Sequence, residues 1–205
     1  MGNQAKCLVR LGKHKGRGEA LLETAEIIFR SEDGAMRLKI PFAEIKSATA
    51  AEGLLRLDIP EGTAIFELGG NAAKWCEKIL HPKTRLQKLG IKPHAAVSLL
   101  GSFASDFLDE LRAQTKNLST GKVAAGSDWI FFAADSARDL SPAPKLAKSL
   151  QGPAALWIVY PKGQKGITEN DVIAAGRKAG LKDVKVVAFS PTHTALKFVI
   201  PVEHR

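Results

Sequence analysis

The stretch "IKPHAAVSLLGSFASDFLDEL" (residues 91–111) decides how the second half of this chain folds. Its apolar run "AAVSLL" leads directly into a single glycine, Gly101. Four apolar residues after that glycine recur at helical spacing: Phe103, Phe107, Leu108 and Leu111. The pattern predicts a buried strand, a tight turn and an amphipathic helix. Because open α/β sheets bind ligands where their strands end, the turn at Gly101 is the first place to look for a site.

Further strands and helices follow this first unit. The runs "DWIFFAA" (128–134) and "AALWIVYP" (154–161) are unbroken and apolar, which is typical of strands inside a parallel sheet. Thr168 and Asp171 form a capping pair for a helix over residues 169–179. The last segment, "VKVVAFSPTHTALKFVIP", predicts two strands around a turn. Together these elements predict a three-layer α/β sheet that ends in an antiparallel hairpin.

The first half of the chain has a different period. In "MRLKIPF" (36–42) the apolar residues alternate with arginine and lysine, and similar alternation recurs over 55–59 and 64–68. This period of two predicts short antiparallel strands with one solvated face. A helix follows, which Asn71 is placed to cap. Its predicted apolar face consists of Trp75, Cys76, Ile79 and Leu80.

Composition excludes several functional classes. The two cysteines and five histidines show no spacing of metal ligands, so we expect no metal site. No apolar run approaches the ~20 residues of a membrane span, and the N-terminus lacks a signal core, so we expect a cytoplasmic protein. The net charge of +9 is spread evenly over the two halves of the chain, with two local concentrations of basic residues at 10–18 and 78–92. Neither segment interleaves aromatic residues, so we interpret both as solvated faces and do not expect nucleic-acid binding.

Residues 5–81 resemble a pleckstrin-homology (PH) or GRAM-like domain. The resemblance rests on the order of elements and on the phrases "LKIPFAEIKSATA" and "GTAIFELGGNAAKWCEKI", which are similar to those of small bacterial PH-like domains. It implies an antiparallel barrel closed by a C-terminal helix, and a role as an adaptor for lipid, peptide or protein. We therefore expect an α+β domain over residues 1–82 and an α/β domain over residues 83–205.

Residues 86–200 are similar to an uncharacterised bacterial domain family of unknown function, whose α/β sheet looks like that of methyltransferases. The phrases that carry this resemblance are "LGIKPHAAVSLLGSF", "GPAALWIVYPKG" and "ITENDVIAAGRKAGLKDVKVVAFSPTHTALKFV". Members of the family pair a strand of the type LWVxWPK with a final hairpin of the type WSALRF. Here Tyr160 stands where tryptophan is common. The resemblance implies a Rossmann-type fold.

A methyltransferase of that type binds S-adenosylmethionine through several glycines after its first strand and an acid after its second. This chain keeps only Gly101, and the side chains of Ser102 and Phe103 stand where the ligand needs room. We therefore expect no cofactor and assign no catalytic residue. The alternative is an unusual cofactor loop in which Gly101 and Ser102 act with Asp128 or Asp106.

Four polar residues are candidates for a ligand rim at the ends of the last strands: Tyr160, Lys162, Lys165 and His193. The first three lie at the carboxyl end of a buried strand, where an anion or phosphate could dock, but we interpret the stretch as a polar loop in preference. His193 in the hairpin turn could serve as an acid or base. It has no carboxylate nearby in sequence, which favours an ordinary exposed histidine.

Three functional hypotheses remain open at this point. The first, which we expect, is a non-enzymatic binding or regulatory protein with an unknown protein or peptide partner. The second is a divergent S-adenosylmethionine-dependent methyltransferase. The third is a binder of anionic surfaces, lipid or RNA, through the basic segments 10–18 and 78–92. The sequence leaves the oligomeric state open.

Overall fold

The computed structural model describes residues 3–204 of the chain. These residues form two compact units that divide between Lys83 and Thr84, one residue after the boundary expected from the sequence. Within residues 3–204 no helix has both the length and the apolar character needed to cross a membrane.

The N-terminal unit is a curled antiparallel sheet of seven strands with one helix. The strands are β1 (Asn3–Leu11), β2 (His14–Leu22), β3 (Glu26–Ser31), β4 (Arg37–Pro41), β5 (Ser47–Ala51), β6 (Leu54–Ile59) and β7 (Gly62–Glu67). Their order across the sheet is β4-β3-β2-β1-β7-β6-β5. Helix α1 (Ala72–Leu80) follows β7 and packs against β5 and β6.

The predicted alternation in this unit is confirmed, because inward residues such as Ile40, Leu57 and Phe66 are buried. Two details of the helix prediction are wrong. Leu80 is 50% exposed, since it is the last residue of α1 and lies beyond the sheet-facing side. The side chain of Asn71 makes no capping hydrogen bond, because a 3-10 turn leads directly into α1 and gives Asn71 helical backbone angles.

The basic segment at residues 10–18 is the hairpin that joins β1 to β2. Its charged residues Lys15 and Arg17 are exposed, whereas Gly16 and Gly18 between them are buried. A Cβ atom on Gly18 would lie 2.1 Å from the carbonyl oxygen of Arg30 in β3. Alternation therefore continues through this segment, with glycine in the inward positions because the neighbouring strand passes too close for a side chain.

The C-terminal unit is a six-stranded sheet with four short helices. Its strands are β8 (Val97–Leu100), β9 (Leu118–Thr120), β10 (Trp129–Ala133), β11 (Ala155–Pro161), β12 (Lys182–Ala188) and β13 (His193–Val199). The helices are α2 (Arg85–Leu89), α3 (Ser105–Gln114), α4 (Ala143–Ala147) and α5 (Glu169–Lys178). The strand order is β12-β13-β11-β10-β8-β9.

Strands β9, β8, β10 and β11 run parallel, and the hairpin β12–β13 pairs antiparallel with β11. The predicted α/β sheet with a terminal antiparallel hairpin is thus confirmed in outline, as is the capping box of α5 at Thr168 and Asp171. The sequence missed the three-residue strand β9, because such a short segment has no measurable period. Helix α3 begins at Ser105, so Phe103 belongs to the preceding loop.

Successive residues of β10 face opposite sides of the sheet. Phe131 packs in the cluster that contains Phe107 of α3 and Trp157, whose ring stacks on Phe131 at 6.2 Å between centroids. Ile130 belongs to the cluster on the other face, which contains Val172 of α5. The unit therefore has helices on both faces of a sheet, and Trp157 is a fully buried core residue.

Candidate functional site

The order of strands places a topological switch point at the carboxyl ends of β8 and β10. These strands are parallel neighbours, but the chain leaves β8 through α3 to reach β9 on one side and then crosses to β10 on the other. The chain therefore continues from β8 into α3, whose Phe107 packs on one face of the sheet, and from β10 toward α4, whose Leu146 packs on the other face. Open α/β sheets bind their ligands at switch points of this kind.

Gly101 forms the turn at this point. Its φ of +92° lies in a region that L side chains rarely adopt. A Cβ atom here would stand 3.0 Å from both the Cβ and the carbonyl oxygen of Ala133, the last residue of β10. Glycine is therefore required both by the backbone angle and by the close approach of the loop to β10.

We expect the Gly101→Ala variant to lower the free energy of unfolding of the C-terminal unit by about 1–3 kcal/mol, the cost of a strained backbone position. Gly166→Ala is the matched control, because a Cβ there meets no atom within 4 Å and its φ is ordinary. Urea unfolding of the full chain, followed by NMR signals of core residues in each unit, measures both variants. Equal stability of the two variants would contradict the requirement for glycine.

The loop after β10 supplies two carboxylates that the sequence analysis missed, those of Asp135 and Asp139. The carboxylate of Asp139 accepts hydrogen bonds from the backbone N–H and hydroxyl of Ser136, at 2.8 and 2.9 Å, and from the backbone N–H of Asp135. The bond from the Ser136 hydroxyl is the main reason why the pKa of Asp139 lies below its usual range. Asp135 is exposed, and its own carboxylate makes no hydrogen bond or ion pair among residues 3–204. The sequence did contain a signal for Asp135, because it is an acid that stands two residues after the buried strand β10.

The assignment of Asp128 to a site with Gly101 is corrected by the structure. Asp128 precedes β10, and its carboxylate accepts a hydrogen bond of 2.8 Å from the backbone N–H of Ala96, just before β8. Because β8 and β10 are parallel, Asp128 lies at the amino edge of the sheet and Gly101 at the carboxyl edge. Asp128 therefore joins the beginnings of two strands and stands apart from the switch point.

The other residues proposed for the cofactor loop also have defined positions. Ser102 is exposed directly after the Gly101 turn. The ring of Phe103 packs 5.7 Å from that of Phe107 and 6.3 Å from that of Phe189, so it belongs to the aromatic cluster on the α3 face. Asp106, in the first turn of α3, accepts a 2.9 Å hydrogen bond from Arg85, which lowers the pKa of its carboxyl.

Of the candidate rim residues near the end of β11, Tyr160 is buried and Lys165 is exposed. The hydroxyl of Tyr160 donates a 3.1 Å hydrogen bond to Glu169, and burial, the largest cause, raises the pKa of this tyrosine. Tyr160 is thus a buried residue that ties β11 to α5. Lys165 lies instead in the exposed loop after β11.

Lys162 and His193 each contact residues of the hairpin turn. The ammonium of Lys162 donates a 2.7 Å hydrogen bond to the carbonyl of Ser190. The Nδ1 atom of His193 lies 2.9 Å from the hydroxyl of Thr192. These contacts hold the turn against the end of β11. In the part of the chain that the structure describes, no three His, Cys, Asp or Glu side chains are grouped as metal ligands.

Comparisons with known proteins identify no family for this chain. No protein-family model matches it, and no curated protein matches it. Among solved structures, an S-adenosylmethionine-dependent methyltransferase from Aquifex aeolicus is 19% identical over 57% of this chain and 87% of its own, with a TM-score of 0.42. Magnesium protoporphyrin IX methyltransferase from Synechocystis, with bound S-adenosylmethionine, is 13% identical over 57% of this chain and 74% of its own, with a TM-score of 0.38.

A third similar structure is the S-adenosylmethionine-dependent methyltransferase SibL in its apo form, 14% identical over 63% of this chain, with a TM-score of 0.43. This chain spans 57% of the SibL chain. All three similar proteins are methyltransferases. The expectation of a non-enzymatic binding protein finds no support in these comparisons and is withdrawn, and the similarities by themselves assign no activity to this chain.

Proposed function

We propose that this chain is a divergent S-adenosylmethionine-dependent methyltransferase whose cofactor binds at the carboxyl ends of β8 and β10. The observation that carries the proposal is the order β12-β13-β11-β10-β8-β9, with its switch point between β8 and β10. Ligands bind at the switch points of open α/β sheets, and the loops after these two strands approach each other where Gly101 meets Ala133.

Three residues at this edge suit the cofactor. The turn at Gly101 brings the first loop against β10, and the exposed hydroxyl of Ser102 directly after it can hydrogen-bond to a ligand. Asp135 supplies a carboxylate with spare acceptor capacity for the ribose hydroxyls. It replaces the acid after the second strand of methyltransferases, since β9 is followed here by Gly121 and Lys122. The cofactor would supply an electrophilic methyl group, and these residues would orient it.

The substrate side of the site would lie toward the end of β11. Lys165 is exposed in the loop after β11 and can attract an anionic group of the substrate. Lys162 and His193 hold the hairpin turn beside it, so they would shape the rim. Tyr160 would contribute indirectly by holding β11 against α5, because its hydroxyl already donates a hydrogen bond to Glu169.

We further propose that the N-terminal unit, residues 1–82, is a PH-like or GRAM-like module joined to this catalytic domain. Support comes from seven antiparallel strands in sequence, followed by a helix whose buried face packs on β5 and β6. Such an arrangement fits an adaptor role beside an enzyme.

The experiment is isothermal titration calorimetry of the full chain with S-adenosylmethionine and with its demethylated product. We expect saturable binding of both, and Asp135→Asn should weaken it about tenfold or more, because a carboxylate hydrogen bond to a ribose hydroxyl is lost. Asp109→Asn is the matched control, since Asp109 is an exposed acid on α3 paired with Arg112. No heat with either ligand, or equal binding by both variants, would overturn the proposal.

A further inference from the structure

A second cleft, of about 340 Å³, lies at the amino edge of the C-terminal sheet, opposite the edge that contains Gly101. Its volume is within the range of sites that bind small molecules. The segment before β8 and the start of β10 supply most of its wall, including Gly90, Lys92, His94, Asp128 and Trp129. The cleft therefore combines an aromatic ring, a carboxylate and two basic side chains.

Asp128 offers this cleft a free hydrogen-bond acceptor. Its Oδ2 atom accepts the 2.8 Å hydrogen bond from the backbone N–H of Ala96. Its Oδ1 atom makes no hydrogen bond or ion pair with any of residues 3–204. Because the bond from Ala96 fixes the carboxylate, Oδ1 is a positioned acceptor for an N–H group of a ligand.

The two basic side chains of the cleft are exposed, and neither makes a hydrogen bond or ion pair within the described part of the chain. His94 has a φ of +65°, in a region that residues other than glycine adopt infrequently. Its backbone N–H donates to the carbonyl of Gln114, and its carbonyl accepts a 2.9 Å hydrogen bond from the side chain of Asn117. These bonds maintain an unfavourable backbone conformation beside the cleft, and such conformations cluster at functional sites.

Trp129 forms the aromatic wall of the cleft. The ammonium of Lys197 lies 4.5 Å from the centroid of its ring. The ring also lies close to the turn after α2, since a Cβ on Gly90 would stand 3.4 Å from its Cη2 atom. These two contacts hold the ring in place, so the cleft presents a rigid surface on which another flat ring can pack.

We propose that this cleft binds a nucleoside monophosphate whose base carries an exocyclic amine, such as adenosine monophosphate (AMP). A nucleotide combines the three features that the wall matches: a flat aromatic ring, an N–H donor on the edge of that ring, and an anionic group. The base would pack on Trp129, and its amine would donate to Oδ1 of Asp128. The phosphate would meet Lys92 and His94.

This site is separate from the proposed cofactor site. The cleft lies where β8 and β10 begin, whereas S-adenosylmethionine would bind where the same strands end. The absence of S-adenosylmethionine binding would therefore leave the nucleotide proposal standing, and the reverse also holds.

The first test is an NMR titration of the full chain with AMP at constant ionic strength. We expect saturable shifts of the indole N–H of Trp129 and of the backbone amides of His94 and Asp128. Inosine monophosphate (IMP) has a carbonyl in place of the amine, so its oxygen would face the carboxylate of Asp128. IMP should bind about tenfold more weakly than AMP, as expected when a charged hydrogen bond is lost.

The Asp128→Asn variant should reverse this preference. The oxygen of the new amide has to accept the hydrogen bond from Ala96, so its NH₂ group takes the place of Oδ1. The cleft then presents a donor, which suits the carbonyl of IMP and repels the amine of AMP. Asp135→Asn is the matched control, because it makes the same change at the carboxyl edge and should keep the preference for AMP.

The phosphate contacts are tested by comparing AMP with adenosine. Lys92→Gln should weaken AMP binding about tenfold and leave adenosine binding unchanged, because adenosine lacks the charged group that Lys92 would contact. His94→Gly should also weaken AMP binding, and glycine suits the φ of +65°, so the loss cannot be attributed to a disturbed fold. The proposal fails if no saturable shift occurs around Trp129, if Asp128→Asn still prefers AMP, or if Asp135→Asn abolishes AMP binding.

Discussion

The Gly18→Ala variant is expected to lose about 3 kcal/mol or more of the free energy of unfolding of the N-terminal unit, at the upper end of the cost of overpacking. A Cβ on Gly18 would lie 2.1 Å from the carbonyl oxygen of Arg30 and 2.6 Å from the Cα of Ser31. Both atoms belong to the backbone of β3, so they can retreat only if the pairing of β2 with β3 is disturbed. Gly18 also pairs with Cys7 of β1, which restricts movement in the other direction.

Urea unfolding of the full chain, followed by NMR signals of Leu57 and Phe66 in the N-terminal core, measures this loss. Gly70→Ala is the control, because a Cβ at Gly70 meets no atom within 4 Å and its φ is ordinary. We expect the control to change stability little. A Gly18→Ala variant as stable as the control would show that β3 can move away without cost.

The Gly176→Ala variant is expected to destabilise the C-terminal unit by about 2–3 kcal/mol through overpacking. Alanine inside a helix normally stabilises by about 1 kcal/mol over glycine, so the expected sign is opposite to that of helix propensity. The reason is Phe198 of β13, whose ring atoms would lie 2.0–2.6 Å from the new Cβ. Phe198 is fully buried, so its ring has no open space into which to turn.

A double-mutant cycle with Phe198→Leu isolates this contact. The smaller leucine should relieve the overlap, so Gly176→Ala should cost less in the Phe198→Leu background than in the native chain. Thermal and urea unfolding of the four proteins provide the free energies, with Gly166→Ala as the control for a glycine in open space. Additive effects of the two substitutions would contradict the packing argument.

Much of the fold could be predicted from the sequence because its signals are local. The alternation at "MRLKIPF", the apolar runs of β10 and β11, and the capping pair Thr168 and Asp171 each lie within a few residues of the element that they specify. Propensity and periodicity act over the same range. The short strand β9 lacks such a signal, and its pairing with β8 decides its structure.

The candidate site was harder to predict, because it depends on which strand ends meet. Asp128 and Asp135 flank the same apolar run, and the sequence analysis chose Asp128. The parallel pairing of β8 with β10 places Asp128 beside Ala96 at the amino edge and Asp135 after the carboxyl end, on the side of Gly101. The same pairing explains why Gly101 must be glycine, since its neighbour is Ala133 of another strand.

The sequence by itself determined that Gly101 ends a buried strand and begins a turn into a helix, since the apolar run and the helical period on either side are properties of adjacent residues. Only the tertiary structure decided what surrounds that turn. It packed Phe103 into the aromatic cluster with Phe107 and Phe189 and brought the loop that contains Asp135 to the same edge. The physical reason is that packing joins residues far apart in the chain, and no local period records which of them will meet.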